Sequence, residues 1–587
     1  MFRRMAFFCS AGLAALFPCP MPAQMTQSAS DSPAVVRATT RLVQVDVVVT
    51  DASGHLVKDL SESDFSITEN GKSQKIAFFS FLGKQTSGET KQRGAQLPPH
   101  VTTNRPEWRP LAGPPIVLLL DGINTQVENQ LQVRKQMLAF LAEHFDPSMR
   151  VAVFAMGNEL TVLQDFTSDS TLLQRAMEKY RSQAAAAGRQ GSTDLNLPPP
   201  TGDAGPSSSR AAVQPGAGAA DGGTDRSLAN IAYALARFEK ETTASTLELR
   251  IGHTVDALGA IARYLSGFPG RKVIVWFSGS FPFNLSIVDA PDQDVYRSYG
   301  EQIHRATNLL SDAQVAVYTV DARGLTGTSL ADPSQTGRDA NGRMQLTVND
   351  HMLANETETF GRFNEEDSLT KFAQETGGRA FLNTNDLSQA ITAGIEDSAA
   401  SYVVGYYPDQ KKWDGSFRNI KVKVSRNGLS VRHRRGYYAM DPEKWRRGNS
   451  ANDMKVALAQ GSVDSTSVLF YVRALPPAAD SEVRVEFLVD PHTVSFETTS
   501  EGQHYCNLEF QVQAFGDDGK QIAAEIQQAE APLKPETYER IRNSGLPMPV
   551  SIKLPAGTYS LHLGVRDNRT GLFGTAELPV TVGARSK

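Results

Sequence analysis

The sequence predicts an α/β chain, a doubly wound and mostly parallel sheet, with all-β modules flanking it at both ends. Three observations carry that expectation. The runs Ile116-Val117-Leu118-Leu119-Leu120, Lys272 to Phe277 and Val315 to Val320 are apolar nearly throughout, the habit of strands buried on both faces in parallel sheets. Segments of helical spacing separate them, as in Val133, Met137, Phe140 and Leu141. Before residue 82 and after residue 401 the pattern returns to strict alternation, as in Val43, Val45, Val47 and Val49, which suits antiparallel sheets with one wet face.

The first residues read as an address. Arg3 and Arg4 precede an apolar stretch from Ala6 to Phe17, and Pro18, Pro20, Pro22 and Ala23 follow, the charged head, apolar middle and small-residue exit of a secretory signal. The expected signal covers residues 1–23, with a polar lead at 24–40. Phe17 and Pro18, standing before Cys19, argue against a lipid anchor there. No later segment reaches the roughly 18 to 20 apolar residues that a membrane span needs. Cys9 and Cys19 fall inside the signal, so only Cys506 would remain, too few for an internal disulfide or a cysteine-based zinc site.

At 587 residues the chain is too long for one ordinary core. Residues 41–82 predict a small β unit, with Asn70-Gly71 as a hairpin turn between Ser66-Ile67-Thr68 and the strand beginning at Ile76. Residues 83–113, polar and proline-containing, predict a linker. The α/β domain is expected over 114–440. Arg150 to Phe154 and Leu160 to Phe166 lie too close for a crossover helix and predict an antiparallel pair. Periodicity vanishes over 182–226, where Ala, Gly, Pro and Ser dominate, and a disordered insertion is expected. Helices are expected from Ser227 to Lys240, through Leu258, Ile261 and Leu265, and around Phe372. Residues 401–440 predict an antiparallel β appendix, 441–464 a second linker, and 465–583 a β-sandwich of short strands.

The segment Leu118-Leu119-Leu120-Asp121-Gly122-Ile123-Asn124-Thr125, Pro269-Gly270-Arg271-Lys272 with Trp276-Phe277-Ser278-Gly279, and Ser401-Tyr402-Val403-Val404-Gly405-Tyr406 resemble the von Willebrand factor A-related proteins of acidobacterial type. The resemblance covers about residues 41–440; the C-terminal part is only loosely similar to bacterial immunoglobulin-like modules. It implies a divalent cation at the end of the sheet, held through an Asp-x-Ser-x-Ser loop, a later Thr and a later Asp. Such hard cations want about six oxygens. Asp121 matches the first Asp, and Thr125 can replace the second Ser. Ile123 stands where the first Ser belongs, and Ser278 where the later Asp belongs. Gly252 aligns with the Thr, with Thr254 two residues beyond and Thr224 as another candidate. The implied metal set is therefore degenerate (Asp121, Thr125, Ser278), and Mg²⁺ or Mn²⁺ is expected to bind weakly or not at all. Asp121, Asn124, Thr125, Thr254, Ser278 and Ser280 are the candidates for contacting a partner.

Other chemistry finds little support. Net charge of −5 gives no basic face for nucleic acid. Phe277-Ser278-Gly279-Ser280-Phe281 lacks both glycines of a hydrolase elbow, and neither a His-Glu-x-x-His motif nor a phosphate loop is present. Arg432-His433-Arg434-Arg435 suits a solvated strand edge, or contact with acidic glycans or lipid heads. The expected function is an exported, non-enzymatic protein-binding, adhesion or scaffold protein, its partner another protein or an envelope or matrix component. The alternative is an accessory or inactive subunit of a hydrolase-type envelope enzyme complex.

Overall fold

The computed structural model describes residues 42–83, 97–108, 113–191, 248–280, 294–324, 365–384, 386–409, 412–441, 450–475, 482–498 and 503–583. The expected signal, the lead, the helix at Ser227 to Lys240 and most of the 182–226 insertion lie outside them.

Among the described residues the strands form five sheets, four of them wholly antiparallel. The chain is therefore mostly β, and the expected α/β class, a doubly wound parallel sheet with modules at its ends, is corrected. The apolar runs that drove the expectation are the most conspicuous segments, but they account for one sheet of five. Most strands are instead half-wet and alternating, as in Phe417–Val424, where buried and exposed residues take turns.

The remaining sheet carries the site. It holds Ala380–Phe381, Val315–Asp321, Lys272–Ser278, Pro115–Asp121, Arg150–Met156 and Leu160–Thr167 in that order. The first five are parallel, and the Leu160–Thr167 strand runs antiparallel along the edge. All seven residues of each of the four central strands are buried. Helices cover both faces. Val117, Leu119, Ile274 and Trp276 pack with Leu258, Ile261, Leu310 and Phe372 on one side. Ile116, Leu118, Val273 and Val275 pack with Met137, Met177 and Ile391 on the other. The helix Ser170–Gly191 runs past residue 182, correcting the expected start of the insertion there; alanine, which fills that stretch, is the best helix former.

The two flanking modules are assembled differently from the expectation. Val43–Thr50 pairs with Ser401–Tyr406 and Ser430–Arg432, Ile76–Leu82 pairs with Ser401–Tyr406, and Phe65–Glu69 pairs with Phe417–Val424. The expected N-terminal unit and the expected 401–440 appendix are thus one two-sheet body sharing a core of Val45, Val47, Tyr402, Tyr406 and Ile420. Each half alone has too little apolar surface to stand by itself. Asn70 and Gly71, with φ of 47° and 81°, do form the tight turn, but it joins Phe65–Glu69 to Lys72–Gln74.

Neither expected linker is purely a linker. Val101–Thr103 adds an edge strand to Phe470–Leu475 of the C-terminal sandwich, and Asn104 holds Ser465, Val468 and Phe470 through its side chain. The helix Ser450–Ala457 lays Met454 against the sandwich residue Phe573. The sandwich packs Glu482–Val489 and its neighbours on His504–Phe515 and its neighbours around one apolar core. It includes Gln521–Leu533, a thirteen-residue strand that Gln, Glu and Ala conceal from pattern reading.

Hydrogen bonds tie the bodies together. Thr466 donates its hydroxyl to Tyr264 O at 2.7 Å and accepts from Gly267 N at 2.8 Å. Gln314 donates to Asp46 at 2.9 Å across the joint with the two-sheet body, inside which Arg434 donates to Gln44 O at 2.7 Å. Within the parallel-sheet body Lys272, 1% exposed, donates its ammonium to Ala313 O. Arg432 pairs with the buried Asp397, so the basic run at 432–435 serves internal joints more than a solvated edge.

Candidate functional site

Asp121 ends a wholly buried strand, so its carboxylate projects where the backbone ladder stops and donors become available. The chain turns at once. Asp121 Oδ1 accepts from the backbone N–H groups of Ile123 (3.0 Å) and Asn124 (2.8 Å), the local closure that favours Asp at such turns. Oδ2 accepts from Asn124 Nδ2 at 2.9 Å, Trp276 Nε1 at 3.1 Å and Ser278 Oγ at 2.8 Å. Trp276 and Ser278 are two apart on one strand, so the pleat points both to the same face.

The next shell locks the turn from above. Thr254, on the helix covering 248–265, accepts from Asn124 Nδ2 at 2.9 Å and donates to Arg250 O at 2.8 Å. Arg250 donates to Asn124 Oδ1 at 3.1 Å and to Ser280 Oγ at 3.2 Å. Thr125 Oγ1 accepts from Gly279 N at 2.9 Å. Gly279 fits closely there: a β-carbon would sit 3.0 Å from Asn124 O and 3.2 Å from Thr125 Cα, tight enough to push on the turn. Gln130 donates to Gly122 O and Thr125 O, and accepts from the Tyr180 hydroxyl. Burial raises the Tyr180 hydroxyl pKa, with the nearby Asp121 charge adding to it. One strand further along, Asp321 is clasped by Arg323, which also reaches Glu365 at 2.7 Å.

All six predicted contact residues are thus brought together. Exposure does not follow. Asp121 is 2% exposed, Asn124 and Thr125 6%, Thr254 1% and Ser278 0%; only Ser280 is half-buried. As direct partner contacts the first five are corrected, because they are buried and their polar side-chain atoms bond one another or, for Thr125, the Gly279 backbone. The outward residues of the turn are Gly122, Gln126, Val127 and Glu128.

The donor set also fails the test for a divalent cation. Burial raises the Asp121 carboxyl pKa, and the hydrogen bonds from Asn124, Ser278 and Ile123 only partly offset it. Both carboxylate oxygens already take hydrogen-bond donors, an indole N–H and an amide N–H₂ among them. These present positive edges where a cation would need lone pairs. Arg250, bonded to Asn124 and Ser280, supplies a fixed positive charge beside the cluster. Among the described residues, no group of three or more His, Cys, Asp or Glu side chains is placed to hold a metal ion. The residues Asp121, Thr125 and Ser278 do meet, but as hydrogen-bond partners of the protein itself.

Arg250 and Trp276 were missed in the sequence. Trp276 could have been found from its i, i+2 relation to Ser278, and Arg250 from its i, i+4 relation to Thr254 on one helix face.

No family model matches the chain, and no curated protein matches it. Among solved structures, a β-glucuronidase of Bacteroides uniformis aligns with a TM-score of 0.12 and 8% identity over 31% of this chain and 19% of its own. A second B. uniformis β-glucuronidase structure, covalently bound to cyclophellitol-6-carboxylate aziridine, gives the same figures. A β-glucuronidase from glycoside hydrolase family 2 aligns at 13% identity and TM-score 0.12, over 31% of this chain and 17% of its own. The chain spans less than a fifth of each, and likeness at that level carries no argument about activity. No helix among the described residues is long and apolar enough to cross a membrane.

Proposed function

We propose that this chain is an exported, non-enzymatic binding or scaffold protein, in which the Asp121 cluster stiffens a turn that neighbouring residues present to another protein. The observation that supports this reading most is the saturation of Asp121. A buried carboxylate accepting five hydrogen bonds has no lone pair to lend to a substrate, yet it fixes the backbone from Asp121 to Thr125 and the strand end at Ser278. Such a network suits a rigid platform, since satisfied buried polar networks specify one geometry. The surface on offer is the rim formed by Gly122, Gln126, Val127 and Glu128, with Val127 37% exposed. Export rests on the N-terminal pattern of Arg3, Arg4 and the apolar stretch ending at Phe17.

The test uses rim substitutions that leave the cluster intact. Capture from envelope extract is compared for wild type, Gln126→Arg and Glu128→Arg, with melting temperatures measured alongside. Loss of a specific captured protein at unchanged melting temperature is the expected result. Capture indifferent to both substitutions, or turnover of ester, peptide or glycoside substrates by the purified wild type, would overturn it.

A further inference from the structure

The strand Gln521–Leu533 lies at an open sheet edge. One side bonds to His504–Phe515, in unbroken register from Ala523 to Leu533 and with a bulge that leaves Ile522 unpaired in the ladder, while no strand pairs with the other side among the described residues. From Ile522 onward its residues alternate as a strand must. Ala523, Ala529 and Leu533 lean on the sandwich core, whereas Ile522, Ala524, Ile526 and Gln528 face outward. Ile522 is 47% exposed and Ile526 61%. Beside them on the adjoining strand stand Gln513 and Gln511, in register with Ala524 and Ile526 and likewise uncharged.

Natural edges of this length are blunted by lysine, proline, bulges or inward charge; here a bulge is confined to the start of the strand, at Ile522. From Gln521 to Ala529 there is no lysine, arginine or proline, and Glu525 is the one charged residue. An edge so left open is either an aggregation hazard or an interface. The order of residues favours the second. When the strand is set antiparallel against a copy of itself with Ala524 on the two-fold axis, Ile522 faces Ile526 twice. Gln521 then faces Gln527, Lys520 faces Gln528, and Glu525 faces Ala523. No like charges oppose each other in that stretch. Moving the axis one residue to Glu525 puts carboxylate against carboxylate, and moving it to Ala523 separates the isoleucines. A one-residue slip also exchanges the faces of a strand, so register is well defined.

We propose that two copies of this chain associate edge to edge through Gln521–Gln528, antiparallel about Ala524, fusing their sandwich sheets into one. The contact is isologous, as a two-fold requires. It is small against the roughly 1,200 Å² of a standard interface, so the dimer forms reversibly at micromolar or higher concentration. This inference is independent of the Asp121 platform; either can fail without the other.

The test is sedimentation velocity on the full chain from about 1 to 300 µM, a range set around that micromolar expectation. Wild type is expected to shift from monomer to dimer across the range. Ile526→Glu, at an exposed position, is expected to weaken the dimer at least tenfold at unchanged melting temperature. Under mild oxidation Ala524→Cys is expected to form a disulfide-linked dimer. Gln528→Cys, on the same face but opposite Lys520, and wild type, whose Cys506 is buried, are expected not to. A wild type that stays monomeric throughout would overturn the proposal. So would a dimer indifferent to Ile526→Glu, or equal cross-linking at 524 and 528.

Discussion

Replacing Asp121 by alanine removes the acceptor of five hydrogen bonds at a position only 2% exposed. One donor retains another acceptor: the Ser278 hydroxyl can keep Ser280 O at 2.7 Å; Asn124 Nδ2 keeps Thr254 Oγ1 at 2.9 Å through its other N–H only. Four N–H groups lose the bond to Asp121 outright, namely the backbone groups of Ile123 and Asn124, one N–H of the Asn124 side chain and the Trp276 indole. At about 1–3 kcal/mol for each buried donor left unsatisfied, with some relief from removing a buried charge, the loss is about 3–5 kcal/mol. That is a large share of the roughly 5–15 kcal/mol that holds a typical fold. Asp121→Asn keeps one oxygen and sheds the charge that burial disfavours, so its cost is about 1–2 kcal/mol. Hydrogen-exchange mass spectrometry across a urea series, read on peptides from Pro115–Asp121 and Lys272–Ser278, isolates this sheet from the β bodies. A loss below about 1 kcal/mol for the alanine variant would refute the keystone role, taking one buried hydrogen bond as the yardstick. An asparagine variant worse than alanine would refute the view that acceptors, rather than charge, do the holding.

Other outcomes follow from the same structure. Mg²⁺, Mn²⁺ and EDTA are expected to leave the wild-type melting temperature unchanged; a rise with Mg²⁺ that Asp121→Ala abolishes would contradict the saturated donor set. Burial lowers the Lys272 pKa from 10.5 to about 8. Above pH 8 the folded state releases that proton before the unfolded chain does, so stability gains from Lys272 as pH rises from about 8 to 10.5. Urea midpoints of wild type against Lys272→Met over that window check it, since the variant should lose the upward slope. Gly378→Ala would place a β-carbon 1.9 Å from Val317 O, a backbone atom that cannot swing aside. A loss of about 3 kcal/mol or more, at the upper end of overpacking costs, is expected in a thermal melt. Thr466→Val removes one bond to Tyr264 O and one from Gly267 N at the joint with the sandwich. Faster proteolysis between residues 441 and 465, with the melting of each body little changed, is the expected outcome.

Sequence patterns disclosed strands where burial is total or alternation is strict. Ile116 to Leu120 and Val315 to Val320 could hardly be anything else, and the turn at Asn70-Gly71 was legible from its need for positive φ. What patterns could not disclose is which strands meet. Val43–Thr50 carries no mark that its partner is Ser401–Tyr406, more than 350 residues away, because pairing depends on closing the chain around the intervening sheet. Weighting the apolar runs over the alternating ones gave the wrong class for the whole chain. Short or polar strands escaped for a different reason. Val101–Thr103 is three residues in a polar stretch, and Gln521–Leu533 is stabilised by its ladder to His504–Phe515 more than by its own side chains. At the site, Asp121 was legible from its place at a strand end, while Thr125, Ser278 and Thr254 were candidates through the resemblance to the von Willebrand A-type loop. Their burial was not visible, because it depends on the helix bearing Arg250 and Thr254 closing over them.

The most direct measurement of the closed Asp121 cluster is hydrogen exchange at the Trp276 indole, followed by NMR on the full chain with ¹⁵N-labelled tryptophan. Trp276 is 0% exposed and donates to Asp121 at 3.1 Å, so its N–H is expected to exchange only as fast as the sheet itself opens. It should lose that protection in Asp121→Ala. An indole proton in wild type that exchanges within seconds, or protection unchanged by the substitution, would contradict the account.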